Sequence, residues 1–233
     1  MSNSEWADKR FGKVTVAENA RARRIIMRAE VDGIKVTVPP HASLSDVKKM
    51  LDEYADRLKS MQGRRRESCS TVDFSFSIDT DLLKLTVVQG DRTGFYLNRS
   101  VGVCQIVCPA DTDFSSRQDW LKRVIVEQLR IQAKAILPLR TKKIAEQYGF
   151  RYKDVKIQSS KTCWGSCSPH NSVNLSLYLM TLPSELVDYV IKHELCHTVH
   201  HDHSPAFWKL MDEVTDGRAK EHRECLKKYK TSF

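Results

Sequence analysis

Two histidines four residues apart, His193 and His197, stand in the stretch YVIKHELCH, and Glu194 follows the first of them. In a helix, residues four apart lie one above the other on one face, so two imidazoles with this spacing can grip one metal ion. Glu194 lies at the edge of the same face, within reach of a water molecule on that metal. The pattern therefore predicts a metal centre with His193 and His197 as ligands and Glu194 as general base.

A third protein ligand must approach from beyond the helix, because three side chains in one straight row cannot surround one ion. His200, His201 and His203 all follow the motif, and an acidic residue of the last helices is a further alternative. Ser204-Pro205 is typical of a helix cap and a first-turn proline, which indicates that the chain has turned and a new helix begins. His203 stands just before that start, so we predict it as the third ligand.

Three histidines and a water molecule form the open site of a catalytic zinc ion, whereas a structural zinc is closed by four protein ligands. In an open site zinc lowers the pKa of water to about 7. The helix is apolar nearly all round, so its histidines and glutamate are expected to be buried and to need a partner. We therefore predict zinc as the cofactor and a hydrolase as the function.

The composition is that of a globular protein with a basic surface. The chain has 233 residues, a net charge of +9 and an odd number of cysteines, seven. No cysteine pattern suggests a disulfide framework and no apolar segment suggests a signal peptide or a membrane span, so we expect a cytoplasmic protein without a membrane partner. The sequence leaves the oligomeric state open.

Two arginine clusters contribute to the positive charge: Arg21, Arg23, Arg24 and Arg28, and Arg64 to Arg66. Such clusters attract nucleic acids or nucleotides, or they form a solvated surface. Neither cluster is interleaved with aromatic residues as a base-stacking platform is, which favours the solvated surface.

The hydrophobic patterns predict an α+β fold in two parts that pack together. Residues 1–111 are β-rich, with one helix from about Leu44 to Met61 that Ser43 caps and Gly63 ends. Residues 112–233 form an α+β unit that carries the site. Its first helix begins with a capping box, Ser115-x-x-Gln118, and is broken or kinked at Pro138.

Two segments precede the helix with the H-E-x-x-H motif, which we call the metal helix. They are a loop from Ser159 to Asn171 and a strand from Val173 to Leu179. We interpret the strand as an edge that could pair with an extended peptide. A hydrolase also needs a group that stabilises the oxyanion, and Lys161, Ser166 and Tyr178 are candidates. Each has a plain structural alternative: a solvated lysine, a turn serine and a packed tyrosine.

The motifs together resemble the YgjP-like metal-dependent hydrolases. The resemblance rests on Trp164-Gly165-Ser166-Cys167-Ser168, the H-E-x-x-H motif and His203-Ser204 with Phe207-Trp208. It implies a zincin-like catalytic domain with His193, His197 and His203 as ligands and Glu194 as base. It also implies that the loop with Trp164 and Ser166 lies near the site and binds substrate.

The chain departs from the family pattern at two places, which bears on substrate preference. Cys163 stands where the family usually has arginine, and Ser176-Leu177-Tyr178 where it often has Asn-Trp-Arg. The spacing of the three histidines equals that of the metzincins, but His200 replaces the glycine that makes their turn, which argues against membership.

Three functions remain open from the sequence. The first is a metallopeptidase acting on peptide or protein substrates. The second is a metal-dependent hydrolase of nucleoside triphosphates, which the positive charge favours although no glycine-rich phosphate loop is present. The third is a nucleic-acid-binding protein with a structural zinc, against which the general base Glu194 argues.

Overall fold

A computed structural model describes residues 4–30, 32–67 and 71–233, and of residues 64–67 it describes the backbone alone. The chain divides into two compact units, residues 1–70 and 71–233. The predicted boundary between residues 111 and 112 falls inside the second unit. The reason is that the strands between residues 77 and 109 share one hydrophobic core with the helices after residue 111.

The first unit consists of a four-stranded sheet and two helices. Its elements are β1 (Ser4–Asp8), β2 (Gly12–Glu18), β3 (Ile26–Glu30), β4 (Gly33–Val38), α1 (Leu44–Glu53) and α2 (Ala55–Glu67). The strand order is β1-β2-β4-β3, with β2 and β4 parallel and the other pairs antiparallel. Alternate strand residues such as Val14, Ile34 and Val36 are buried in one core with Val47 and Leu51 of α1, as period-two patterning requires.

The predicted single helix of this unit is two helices. Ser43 caps α1 as predicted, in a capping box with Asp46. Helix α1 ends at Glu53, with Tyr54 outside the helical region as its C-cap, and α2 follows at once. Gly63 does not end the second helix, which continues to Glu67. Glycine lowers helix propensity by only about 1 kcal/mol, so the neighbouring residues carry the helix past it.

The first arginine cluster is exposed: Arg21, Arg23 and Arg24 lie between β2 and β3, and Arg28 lies on β3. The side chains of the second cluster, Arg64 to Arg66, lie outside the described part of the chain.

The second unit begins with a mixed four-stranded sheet and a long helix. The strands are β5 (Ser77–Asp79), β6 (Lys84–Gly90), β7 (Tyr96–Ser100) and β8 (Val103–Pro109), in the order β5-β6-β8-β7, and the helix is α3 (Phe114–Tyr148). Side-chain amides of α3 form hydrogen bonds with the backbone of the sheet. Gln132 donates to the Ser100 carbonyl at 2.7 Å and accepts from the Gly102 amide at 2.9 Å.

The predicted capping box of α3 is absent from the described structure, and Pro138 does not end the helix. Asp113 rather than Ser115 caps the helix, and Gln118 bonds both backbone groups of Val72 instead of completing a capping box. Helix α3 also continues through Pro138 to the left-handed cap at Gly149. A proline removes one backbone hydrogen bond, and buried residues on both sides of Pro138 hold the helix in the core.

The last third of the chain forms a small sheet and three helices around it. The elements are β9 (Asp154–Gln158), β10 (Gly165–Cys167), β11 (Ser172–Ser176), a 3-10 helix (Leu177–Thr181), α4 (Ser184–Cys196), α5 (Pro205–Val214) and α6 (Ala219–Leu226). The order β10-β11-β9 leaves β11 paired on both sides. The predicted edge strand from Val173 to Leu179 is therefore a central strand that ends at Ser176, and the predicted loop contains the edge strand β10.

The α+β class and the β-rich beginning of the chain are confirmed. None of the helices in the described ranges is long and apolar enough to cross a membrane.

Candidate metal centre

Helix α4 carries the H-E-x-x-H motif and starts without a cap from its own sequence. Pro183 precedes its first residue and offers no side-chain bond. Asp81, between β5 and β6, supplies the missing acceptor, because its Oδ2 accepts from the Ser184 amide at 3.0 Å. A carboxylate at this end also matches the positive pole of the helix dipole. The loop between β5 and β6 thus fixes where α4 begins.

Helix α4 ends before Ser204, as the cap and proline there predict, and the chain turns back toward it. Cys196 is its last residue and His197 its C-cap. Ser204 caps α5 by accepting from the Phe207 amide at 3.4 Å, and Pro205 occupies the first turn. His203, just before this cap, is thereby directed back to α4.

The three predicted histidines converge. His203 Nε2 lies 3.2 Å from His193 Nε2, and one ring nitrogen from each of His193, His197 and His203 lies within 4.8 Å of the others. Two nitrogens bound tetrahedrally to one zinc ion are about 3.4 Å apart, given bonds of about 2.0–2.1 Å. The observed spacing fits three nitrogens that share one ion.

An unsatisfied buried carboxylate oxygen is a second observation in favour of a metal. Glu194 Oε2, beside His193 on the helix, is buried and has no hydrogen-bond partner among the described residues. His193 Nδ1 also has none there, but His193 meets His203 through Nε2, so a metal at Nε2 does not account for Nδ1. Such atoms are rare in folded proteins and often mark a catalytic group or an ion. The residues present therefore fit a divalent cation at the three imidazoles.

Aromatic residues of α5 support the imidazole rings. Phe207 is fully buried and stacks on His197 with centroids 4.5 Å apart. It meets His193 and His203 edge to face, at 4.9 Å each. Trp208 stacks on His203 at 5.9 Å. Phe207 and Trp208 thus form an apolar surface that restricts the rotamers of all three histidines.

The tautomer of His197 is set by the backbone. Its Nδ1 lies 2.9 Å from the His200 carbonyl oxygen. A carbonyl accepts only, so Nδ1 carries the proton and Nε2 is free to bind a metal, as is usual for metal-bound histidines. His200 therefore contributes its main chain to the centre, while its side chain stays outside the group of three.

Burial sets the protonation states at the centre. It lowers the pKa of His193 to about 3, with further contributions from His197, His203 and Arg223. Burial raises the pKa of Glu194 to about 8, and this side chain is only 5 % exposed. Neutral imidazole is the form that binds metals, and a carboxylate with a pKa near neutrality suits a general base.

Gly165 of β10 makes room for Glu194. A Cβ atom at residue 165 would lie 2.7 Å from both Cγ and Oε1 of Glu194, closer than real carbon contacts allow. The Trp-Gly-Ser-Cys motif therefore touches the centre through its glycine, where the main chain packs directly against the carboxylate.

A cavity of about 550 Å³ opens beside the histidines. It is lined by Cys163, Trp164, Gly165, Tyr189, Val190, His193, Glu194, His203, Trp208, Arg223 and Leu226. Of the predicted substrate-binding residues, Trp164 lines this cavity.

Lys161, Ser166 and Tyr178 do not line the cavity. Ser166 follows Gly165 on a strand, so it points to the other face and meets Asn174 at 3.3 Å. Tyr178 is 2 % exposed in the core, because the strand predicted there ends in a 3-10 helix. Lys161 is exposed.

Among the lining residues without a functional assignment from the sequence are Tyr189, Trp208, Arg223 and Leu226. Tyr189 precedes His193 by one helical turn, a spacing that could have indicated it. Arg223 and Leu226 are on α6, where no motif distinguishes them from a solvated face.

No curated protein matches the chain. Among solved structures, the chain is similar to the crystal structure of the metallopeptidase zymogen of Pyrococcus abyssi abylysin, with 24% identity over 44% of this chain and 93% of that chain and a TM-score of 0.34. The family model described as YgjP-like, metallopeptidase domain, matches residues 23–229. The chain therefore belongs to the YgjP-like family of metallopeptidase domains.

Proposed function

We propose that the protein is a zinc-dependent peptidase with His193, His197 and His203 as ligands and Glu194 as general base. The observation that carries the proposal is the convergence of three imidazoles beside one buried carboxylate. A structural zinc site uses four protein ligands and needs no base, so the arrangement favours catalysis. Family membership supports a hydrolase of peptides.

The chemistry follows from the groups around the cavity. A zinc ion, when bound, supplies a Lewis acid that polarises the scissile carbonyl and acidifies water. Glu194 accepts the proton of the attacking water and passes it to the leaving amine. Gly165 keeps the carboxylate in place, and the apolar walls Trp164 and Val190 exclude bulk water.

Strand β10 favours an extended peptide as substrate. It is the edge of its sheet and pairs, within the described residues, with β11 alone, so the other side of its backbone can accept a further strand. Gly165 on this strand packs against Glu194. A peptide that pairs with β10 would therefore lie along the general base.

Replacement of Glu194 tests the proposal. Glu194→Gln keeps the shape and removes the base, so we expect unchanged zinc content and a turnover of unstructured peptides at least ~10²-fold lower. Glu185→Gln, which removes an exposed carboxylate of the same helix, is the matched control and should retain full turnover. Zinc content is measured by atomic absorption and cleavage by mass spectrometry.

The same preparations are incubated with nucleoside triphosphates. If the protein hydrolyses nucleoside triphosphates but no peptide, and Glu194→Gln loses this activity, the protein is a phosphoanhydride hydrolase and not a peptidase. A fully zinc-loaded protein that turns over neither substrate class would overturn the catalytic proposal.

A further inference from the structure

The cavity beside the histidines contains an arginine that the peptidase chemistry does not use. Apart from the histidines, the charged residues among its lining are Glu194 and Arg223. Most other lining residues are apolar or aromatic, among them Trp164, Val190 and Leu226. An apolar cavity with one guanidinium suits a ligand that has a carbon skeleton and one anionic group.

Arg223 has no acidic partner in the described part of the chain, although carboxylates are close in sequence. Glu221 is paired with Arg218 at 3.2 Å and Glu224 with Lys227 at 2.6 Å. Both neighbouring acids of α6 thus form their ion pairs with other residues, and Arg223 acts on Glu224 only as a nearby charge that lowers its pKa. The guanidinium keeps its hydrogen-bond donors for another group.

Trp208 holds the guanidinium at the cavity. The Arg223 Cζ lies over the Trp208 ring, 5.1 Å from its centroid, a cation–π contact. The same tryptophan stacks on His203. One ring therefore connects the histidine group with the arginine, which places the positive charge one aromatic ring away from the centre.

We infer that Arg223 binds a carboxylate of the substrate, so that the enzyme prefers peptides with a carboxylate close to the cleaved bond. The inference rests on the proposed peptidase function. A guanidinium presents two parallel N–H donors that match a carboxylate. Arg223 is exposed at the rim of the cavity, so these donors are accessible to a substrate. The carboxylate belongs either to an aspartate or glutamate side chain or to the carboxyl terminus of the peptide.

A nucleoside triphosphate fits the cavity less well. It carries several negative charges, whereas Arg223 is the one permanent cation among the lining residues and Glu194 adds a carboxylate. A bound zinc ion would add two positive charges beside the histidines, so the binding of a triphosphate is measured together with that of the peptides. A single carboxylate is the anion that one guanidinium neutralises.

The test compares peptides that differ only in one carboxylate. One pair has glutamate or glutamine at each position flanking the cleaved bond, and a second pair has a free or an amidated carboxyl terminus. Three zinc-loaded proteins are assayed: the wild type, Arg223→Gln and Lys220→Gln, the last of which removes an exposed charge of the same helix.

For the wild type, we expect a higher kcat/KM on the carboxylate member of one pair than on its amide member. Arg223→Gln should lower kcat/KM on the carboxylate member about 10–100-fold, as loss of a charged hydrogen bond does, and change the amide member less than about threefold. Lys220→Gln should behave as the wild type. Preference within the first pair identifies a side chain, and preference within the second identifies the terminus.

Binding provides a readout that does not depend on turnover. Trp164 and Trp208 line the cavity, so their fluorescence should report peptide binding to zinc-loaded Glu194→Gln. Adding Arg223→Gln to this variant should weaken binding of the carboxylate peptide about 10–100-fold.

Two results overturn the inference while the peptidase stands: equal kcat/KM within both pairs, or equal losses on both members in Arg223→Gln. Tighter binding of a nucleoside triphosphate than of any carboxylate peptide also overturns it. Absence of cleavage with every peptide counts against the peptidase itself, and the binding assay then decides the role of Arg223.

Discussion

Helix α4 carries two polar stripes that the protein treats in opposite ways. On one stripe Asp188 receives two hydrogen bonds from Arg140, one of them from Nη2 at 2.9 Å. Lys192 Nζ donates to the Val214 carbonyl at 2.6 Å. On the other stripe, buried atoms of His193 and Glu194 have no partner among the described residues.

The difference separates structural from functional polar groups on one helix. A buried polar atom without a partner costs about 1–3 kcal/mol. The first stripe avoids that cost through partners from α3 and α5, and it joins the helix to the core. The second stripe leaves the cost in place, and a bound metal and substrate can relieve it. Loss of a partner on the first stripe should therefore lower the free energy of unfolding, whereas replacing the buried carboxylate of the second stripe should raise it.

The largest expected effect concerns the ligand that comes from outside the helix. His193 and His197 bind from one side, so His203 is required to enclose the ion. We expect His203→Ala to lower zinc affinity by at least ~10²-fold, since even loss of groups behind the ligands costs 10–100-fold. Competition with a chromophoric chelator measures the affinity.

His200→Ala and His201→Ala are the matched controls for this change. Each removes an imidazole from the same turn and should leave zinc affinity within about threefold, because His200 acts through its carbonyl oxygen and that atom survives the substitution. If His200→Ala releases the metal and His203→Ala does not, the assignment of the third ligand is wrong.

The second expected effect concerns stability of the chelator-treated protein. Burial raises the pKa of Glu194 from 4.5 to about 8 in the folded state. The folded chain therefore keeps a proton that the unfolded chain releases, and wild-type stability falls as the pH rises from about 5 to 8. Glu194→Gln lacks this titration, so its stability advantage should grow over that range, by on the order of 3 kcal/mol.

Urea denaturation of both proteins at pH 5, 6.5 and 8 measures the effect. The histidine group is the same in both proteins, so its own titration largely cancels in the difference. A constant difference between the two proteins across this range would show that Glu194 does not titrate there, and that its carboxylate has a partner in solution.

The metal helix and the position of His203 could be predicted because their signals are local. The spacing of His193, Glu194 and His197 requires only a helix. Ser204-Pro205 identifies the next helix start, and the structure confirms that start. Periodicity likewise gives the α+β class, since it depends on neighbours within a few residues.

The remaining parts of the site depend on contacts between distant segments. Asp81 caps α4 from 103 residues away, and Arg223 reaches the cavity from the last helix. No local pattern contains such pairings. The segment from Val173 to Leu179 predicts a strand, because its apolar residues Val173, Leu175, Leu177 and Leu179 alternate. The chain instead forms a 3-10 helix after Ser176 and buries Tyr178 there.

The smallest expected effect concerns the satisfied stripe of α4. Arg140 and Asp188 form a bidentate ion pair with side chains 28% and 32% exposed. Arg140→Met keeps the aliphatic stem and leaves the Asp188 carboxylate without its partner. We therefore expect a loss of about 1–2 kcal/mol in the free energy of unfolding, less than for a fully buried pair because solvent screens these charges.

Arg130→Met is the matched control, since Arg130 of the same helix pairs with the exposed Glu127 at 3.2 Å and such surface pairs contribute about 0–1 kcal/mol. Both variants should keep the zinc content of the wild type, because neither arginine lines the cavity. Denaturant titration at pH 7 measures the difference. Equal losses in the two variants would mean that the ion pair on α4 is an ordinary surface pair, and the two stripes would then differ only in the atoms that await a ligand.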